Sequence, residues 1–596
     1  MDKNTATGLV LIFLLMVGWF FFTMPSQEEI AQRQKEQAIQ DSLAQVEQHR
    51  QDSLNQLEAE EKPQPALKER SQEEEPQPLG IFSSAGVENE AHFTVETPWY
   101  SAVFTNKGAG PSSFHLKKHD TWSGEAVQLI SDSVHSAYNV GFLSTENYNV
   151  ETQNILFQQL NSGSSLTLGK GEVRELSYQL ELENGQRLIY TYTLNGDGYE
   201  INLDIRFVGL SQYVVGRSFD FGWTSPLRTS EKDPVQDALA TSAYVYTGDE
   251  LEQFKLDEAG SQDKTYNGTI DWVATKTKFF TQLIKPRTST DAAILYGEMS
   301  GEADKATTTH LYTSSIRADI PDDGTASFQL YVGPMKYRQI KKVDEHAYDM
   351  VDVGWGWLRW FSDPFVRFLV IPFFEFMSGF IGNVGVIIII FASLVKLVLS
   401  PLTYKSYKSM GAMSKLQPQM KEIQEKYKDD PQKQQKATMA LYKKNKVNPL
   451  GGCLPNLLQF PILITLWRYF QNSILIRQEE FLWTGDLSAP DYIINLPFEI
   501  PFLGEHIAGF VLLMTAAMMV QSKLTGGMSG GGGSSPMAGQ MKVLQYIFPV
   551  MLLFIFNNFA AGLSLYYLIF NVLSIIQQFF IKRSLNKEDD AEVATA

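Results

Sequence analysis

The chain predicts a multi-domain protein: an all-β sandwich domain followed by an α-helical transmembrane bundle with six spans. Three observations carry this prediction. Residues 26–350 are polar and acidic while 360–582 hold long apolar runs, although the mean hydropathy of −0.16 is that of a soluble protein. The first half alternates apolar and polar residues at the period of a strand, and the second has apolar runs of spanning length. Lysine is concentrated in one short block between two of those runs, a topology signal in a chain whose net charge is −17.

The elements follow in order. Residues 1–25 contain the apolar run Gly8–Met24. It is just long enough to cross a bilayer. It ends in three phenylalanines, Thr23, Met24 and Pro25 rather than in a small-residue cleavage site, so an uncleaved anchor is expected. Residues 26–79 are rich in Gln, Glu and Pro and have little to bury, which predicts a disordered or partly helical tether. Residues 80–345 read as strands. Leu188, Tyr190, Tyr192 and Leu194 alternate with polar residues, as do Ile201, Leu203, Ile205 and Phe207, and Asn184-Gly185 and Asn195-Gly196-Asp197-Gly198 supply turns. A large antiparallel sandwich is expected. Residues 346–381 mix Trp357, Trp360, Phe365, Phe368 and Phe373 with Arg359, Arg367 and Glu375, an amphipathic segment suited to a membrane interface; docking on the sandwich is the alternative.

Residues 382–582 hold five further spans, at 382–400, 451–470, 505–523, 543–559 and 562–581. The loop 401–448 carries eleven lysines against four acids, and 521–542 has Lys523 and Lys542 with no acid. The tail 583–596 follows Lys582, whereas 471–501 sets Arg477 against Glu479, Glu480, Asp486, Asp491 and Glu499. Both termini are therefore expected in the cytoplasm and the β domain outside it. Within the basic loop, 402–446 reads as a helical hairpin. Met410, Met413 and Met420 fall on one stripe, and Asp430 caps a second helix that starts at Pro431. Such a stripe can bind a partner or pack the hairpin.

Enzyme chemistry is nearly absent. There is no phosphate-binding loop and no His-Glu-x-x-His, and Cys453, the single cysteine, excludes an intramolecular disulfide or a paired-cysteine metal site. Gly527-Met528-Ser529-Gly530-Gly531 matches a nucleophile pattern but sits in a glycine–serine run with no strand before it. The informative residues are polar ones inside spans: Lys396 in the second, Asn456 and Gln459 in the third, Tyr566, Tyr567 and Asn571 in the sixth. A charge there faces a cavity or partner, or else snorkels to the headgroups. Gln577 and Gln578 are expected at the membrane edge and Ile464 on the lipid-facing side.

KVNPLGGCLPNLLQFPILITLWRYF (Lys446–Phe470), SPLTYKSYKSM with KLQPQM, and AAGLSLYYLIFNVLSIIQQ resemble signatures of the YidC/Oxa/Alb insertase family. TNKGAG (105–110), WVATKTKFF (272–280) and YVGPMKYRQI (331–340) resemble pieces of its Gram-negative form with a large periplasmic domain. The resemblance implies a mutarotase-like super-sandwich and a five-helix core around a hydrophilic groove. It also implies no enzyme activity and no cofactor. The implied function is insertion, lateral release and folding of membrane proteins in the bacterial inner membrane without nucleotide, alone or with the Sec translocon. The implied partners are nascent membrane proteins, the lipid bilayer and the ribosome, with no specific nucleic-acid sequence. The groove would be lined by Lys396, Asn456, Gln459, Tyr566, Tyr567 and Asn571, and the hairpin bearing Met410, Met413 and Met420 would receive the client. Two departures stand out. The groove cation, usually arginine, is Lys396, which loses the planar fork. The small hydroxyl usual one turn earlier is replaced by Ala392.

Overall fold

The computed structural model describes Phe82 and residues 89–595, apart from 131–134, 183–184, 301–308, 428–429, 446–453, 501–502 and 529–535. The expected anchor 1–25 and tether 26–79 lie outside these residues, as do Cys453 and most of the glycine–serine run.

Strict alternation builds the β domain. Strands Arg187–Asn195 and Glu200–Val208 pair antiparallel with Leu188 opposite Phe207, Tyr190 opposite Ile205 and Tyr192 opposite Leu203, so one face of the pair is continuously apolar. These strands lie inside a nine-stranded antiparallel sheet that runs from Glu250–Phe254 at one edge to Gln158–Gln159 at the other. A six-stranded sheet and a five-stranded sheet cover its apolar face. Phe207 meets Phe219 at 5.0 Å and Phe328 meets Phe221 at 4.5 Å across the first interface, and Tyr192 meets Phe104 at 5.1 Å across the second. Two of the buried tyrosines place their hydroxyls on partners: Tyr192 donates to the Ala109 carbonyl and Tyr190 to Thr152. Among the described residues this region is a large β-rich domain whose core is made largely of aromatic contacts of this kind.

Two short helices, α1 (Pro234–Ala240) and α2 (Tyr337–Ile340), decorate the sheets. Then α3 (Arg359–Phe365), a π-helical turn over Val366–Val370 and α4 (Ile371–Ser378) form a two-faced segment. Val366, Val370 and Phe374 are buried, whereas Trp360, Phe368, Phe376 and Phe380 are exposed. Arg338 of α2 pairs with Glu375 of α4 at 2.5 Å, so the segment is also tied to the sandwich side.

Among the described residues, seven helices follow: α5 (Val384–Lys415), α6 (Gln417–Lys426), α7 (Pro431–Lys444), α8 (Leu454–Asn472), α9 (Gly509–Met528), α10 (Pro536–Phe556) and α11 (Ala561–Thr595). Among the described residues, two stretches are long and apolar enough to cross a bilayer, Val384–Ala412 and Ala561–Ser584. Shorter apolar stretches run over Gly509–Thr525 and Tyr546–Phe556. The first core helix does not stop at residue 400. It continues through Pro401 to Lys415, and the Thr403 hydroxyl donates to the Ser400 carbonyl beside the proline. The hairpin proper is therefore α6 and α7. Asp430 caps α7, accepting from the Lys433 amide at 3.0 Å, with Pro431 at the first helical position.

Candidate functional site

Helices α5 and α11 lie side by side and parallel, since Lys396 meets Ser574, Ser400 meets Gln577 and Tyr407 meets Gln578. Their first residues are held by one loop, 473–491. Asn383 donates to the Glu480 carbonyl, and the amides of Ala561 and Gly562 donate to Ala489 and Leu487. The end of α8 and the start of α9 flank the same loop, so one set of helix ends is aligned. At 1.5 Å per residue from those ends, Lys396 lies about 18 Å in, Gln459 and Ser574 about 20 Å, and Asn571 about 15 Å.

At that level the chemistry is polar and incompletely satisfied. Lys396 is 6% exposed. Its Nζ donates to Ser574 Oγ at 2.7 Å and stands 4.7 Å from the centre of the Phe570 ring. Ser574 gives its own proton to the Phe570 carbonyl, which leaves its oxygen free to accept from the lysine. Among the described residues, no carboxylate lies within ion-pair distance of Lys396. Gln459 and Asn571 are buried with unpartnered amide nitrogens, and the hydroxyls of Tyr566 and Ser564 are buried without partners as well. Buried donors left this way each cost about 1–3 kcal/mol unless water or a partner satisfies them.

The expected groove residues separate into two tiers. Lys396, Gln459 and Asn571 share one level. Tyr566 and Tyr567 lie only about 8–9 Å from the aligned ends by the same rise. Tyr566 packs toward Phe391 and Phe470 and Tyr567 against Phe556. Asn456 belongs to α8, but its side chain lies outside the described residues. Ile464, expected on the lipid-facing side, is buried, because α8 packs that face into the core.

Gln577 and Gln578, expected at the membrane edge, bond to neighbouring helices. Gln577 bridges Ser400 and Thr403, and Gln578 is buried between Tyr407 and Thr525 of α9. These contacts extend the Lys396–Ser574 pair into a polar seam. The sequence carried its signal. Lys396, Ser400, Thr403 and Tyr407 recur at four, three and four residues, as do Tyr567, Asn571, Ser574 and Gln578. That spacing is a seam between two parallel helices.

Of the methionines expected on the hairpin, Met410 lies on α5, buried against Tyr407 and Ile581, and Met420 on α6 accepts from the Tyr442 hydroxyl at 3.2 Å. The Met413 side chain lies outside the described residues. Met439 on α7 is exposed.

The β domain is tied to the loop that aligns the helix ends. Arg477 is buried, with Nε donating to Glu231 at 2.7 Å and a terminal nitrogen donating to the Asp120 carbonyl at 2.7 Å. Its guanidinium lies over the rings of Phe279 and Phe280. His119 meets Phe280 edge-on at 5.7 Å. Burial, with added repulsion from Arg477, Lys336 and Lys118, lowers the His119 pKa to about 4.

A lysine buried between two helices of spanning length, with a large sandwich clamped at their aligned ends, defines a membrane-embedded protein carrying a folded domain on one side of the bilayer. Residues 376–588 match the family described as 60Kd inner membrane protein, and residues 92–368 match the YidC periplasmic domain. A membrane protein insertase YidC of Prosthecochloris aestuarii is 37% identical over 99% of this chain and 96% of its own length. Another, from Chlorobaculum parvum, is 35% identical over 100% and 97%. The chain belongs to the YidC family of membrane protein insertases, and 92–368 is its periplasmic domain. Among solved structures, a putative aldose 1-epimerase from Escherichia coli K12 aligns with a TM-score of 0.26 at 9% identity, covering 41% of this chain and 99% of that one. The Slr1438 protein from Synechocystis aligns with a TM-score of 0.29 at 8% identity over 41% and 96%.

Proposed function

We propose that the chain inserts, releases and helps fold other membrane proteins in the bacterial inner membrane, through a hydrophilic groove centred on Lys396 and without nucleotide. The observation that carries this reading is the buried lysine, held by a neutral hydroxyl, at one level with the unpartnered amides of Gln459 and Asn571. A charge in hydrocarbon costs about 2.5–3.5 kcal/mol near a helix centre, so it needs water or a passing polar group. A client's acidic or polar flank supplies that partner while its apolar segment moves sideways into lipid. Burial of the apolar segment supplies the driving force. The helical core would cross five times and the N-terminal anchor once, with both termini cytoplasmic and the segment 346–381 lying in the outer interface. The hairpin of α6 and α7 would meet the emerging client and the ribosome. Met439 offers its exposed apolar contact, while Met410 and Met420 are engaged within the chain. The chain would act alone or alongside the Sec translocon.

The test uses the full chain reconstituted in vesicles and a small client with an acidic flank, with no nucleotide present. Lys396→Ala should slow insertion about tenfold, equivalent to ~1.4 kcal/mol. Lys396→Arg should stay close to the parent protein. Equal insertion by the alanine variant for several clients would make Lys396 a packing residue and sink the groove reading.

A further inference from the structure

The loop between α8 and α9 exposes apolar side chains that the insertion chemistry does not use. It contains a two-stranded hairpin, Tyr492–Ile500 with Gly504–Ala508. Ile494 stands opposite Ile507 on one face and Asn495 opposite His506 on the other, where the two polar side chains meet at 3.1 Å. The outward residues are large: Ile493 is 52% exposed and Phe498 60%. Beside them, a tight turn over Phe481–Thr484 holds Leu482 at φ 55°, a backbone region that disfavours side chains, and leaves it 73% exposed. Trp483 is half exposed, with its ring against Phe510 of α9 and its Nε1 satisfied by Asp491 at 2.8 Å.

The base of this structure is firmly built. The buried Asn557 carboxamide accepts from the Ala508 amide and donates to the Leu503 and His506 carbonyls at 2.7–2.9 Å. Asp491 accepts from the Phe510 amide at 2.7 Å, and burial raises its pKa. A rigid base with large apolar tips is a presented surface.

We infer that the hairpin and the Leu482–Trp483 turn form a lipid-docking element that rests in the outer-leaflet interface and fixes the height of the β domain above the bilayer. This rests on the reading that α5 and α11 cross the membrane with the β domain outside. Four observations point to lipid as the occupant. The tips adjoin the aligned helix ends and run straight into α9 at Gly509, so they continue the surface where apolar helix meets water. Trp483 has the exposed ring and satisfied tip of an interfacial aromatic. A two-stranded sheet has open edges, which hydrocarbon does not tolerate, so the element lies in the interface rather than below it. Residues 478–508 contain six acids and no lysine or arginine, so the attachment is apolar rather than electrostatic. The same loop carries Arg477, whose bonds to Glu231 and Asp120 transmit the anchorage to the sandwich.

The experiment uses the full chain with Cys453→Ser and one new cysteine at a time, carrying a polarity-sensitive fluorophore, in phosphatidylcholine vesicles. Labels at Leu482→Cys and Phe498→Cys should be quenched at least threefold more by shallow nitroxide-bearing lipid than by aqueous iodide. Asn495→Cys should show the reverse, and neither pattern should shift when salt is raised. Leu397→Cys, on the exposed side of α5, is the control for the core. If it is lipid-quenched while 482 and 498 are open to iodide, the inference fails and the membrane reading stands. If 482 and 498 are shielded from both quenchers, a protein surface covers them and lipid docking is wrong. Failure of the Leu397 control overturns both.

Discussion

Lys396 differs from a snorkelling lysine in where its amine ends. It stops at Ser574 Oγ, on the facing helix, instead of reaching the helix end. Removing that acceptor with Ser574→Ala leaves the charge without its hydrogen bond while keeping the field. Insertion of acidic-flanked clients should then fall by less than the loss caused by Lys396→Ala, about two- to threefold, and an in vitro insertion time course measures this ratio. The client path gives a second prediction. Cysteines at Gln459 and Tyr567, with Cys453 replaced by serine, should form disulfides with a stalled client's cysteine. Exposed Phe460 should not, and equal crosslinking at all three would remove the path. Of the residues at this level, Lys396, Gln459 and Asn571 were legible because polar side chains inside apolar runs stand out. Ser574, Ser400 and Thr403 were missed, since serine and threonine are ordinary inside spans. Their meaning came only from a second helix carrying the same spacing.

At the scale of elements, helices and strands with regular periods were readable and their ends were not. The pairing of Arg187–Asn195 with Glu200–Val208 followed from alternation and a turn signal, but α5 outran its expected end, running through Pro401 to Lys415. The hairpin 492–508 was hidden because its apolar residues face outward and so resembled part of a loop. Its base offers a direct test. Asn557→Ala removes three buried hydrogen bonds, a loss of about 2–4 kcal/mol on the usual scale for buried polar groups. In detergent, this variant should show a lower unfolding midpoint and faster protease cleavage within 492–508. Asn557→Asp, which keeps the acceptor but loses both donors, should fall between it and the parent. Unchanged cleavage would mean that the hairpin is not held from that side.

Across the whole molecule, the two halves were legible from composition, but their junction was not. Arg477 stood out only as a lone cation in an acidic loop, and its partners Glu231 and Asp120 are 246 and 357 residues away in sequence. Such pairs leave no local pattern. The junction has a pH signature. His119 is held neutral, its pKa lowered to about 4 from an ordinary 6.5. An unfolded or undocked chain then binds the proton more readily, so the contribution is whole above pH 6.5 and is lost as pH falls toward 4. Glu231 acts in the opposite sense, because burial raises its pKa despite Arg477. His119→Gln should therefore remove the loss of thermal stability between pH 6.5 and 4 while leaving the remaining carboxylate-driven changes. A parent-like pH profile in that variant would exclude the histidine.

The seam between α5 and α11 has a consequence for the protein's own birth. Ser574 is made 178 residues after Lys396. At 5–20 residues per second the lysine waits roughly 10–35 s for its acceptor. For that interval the newborn chain carries Lys396 without the acceptor it has in the finished fold.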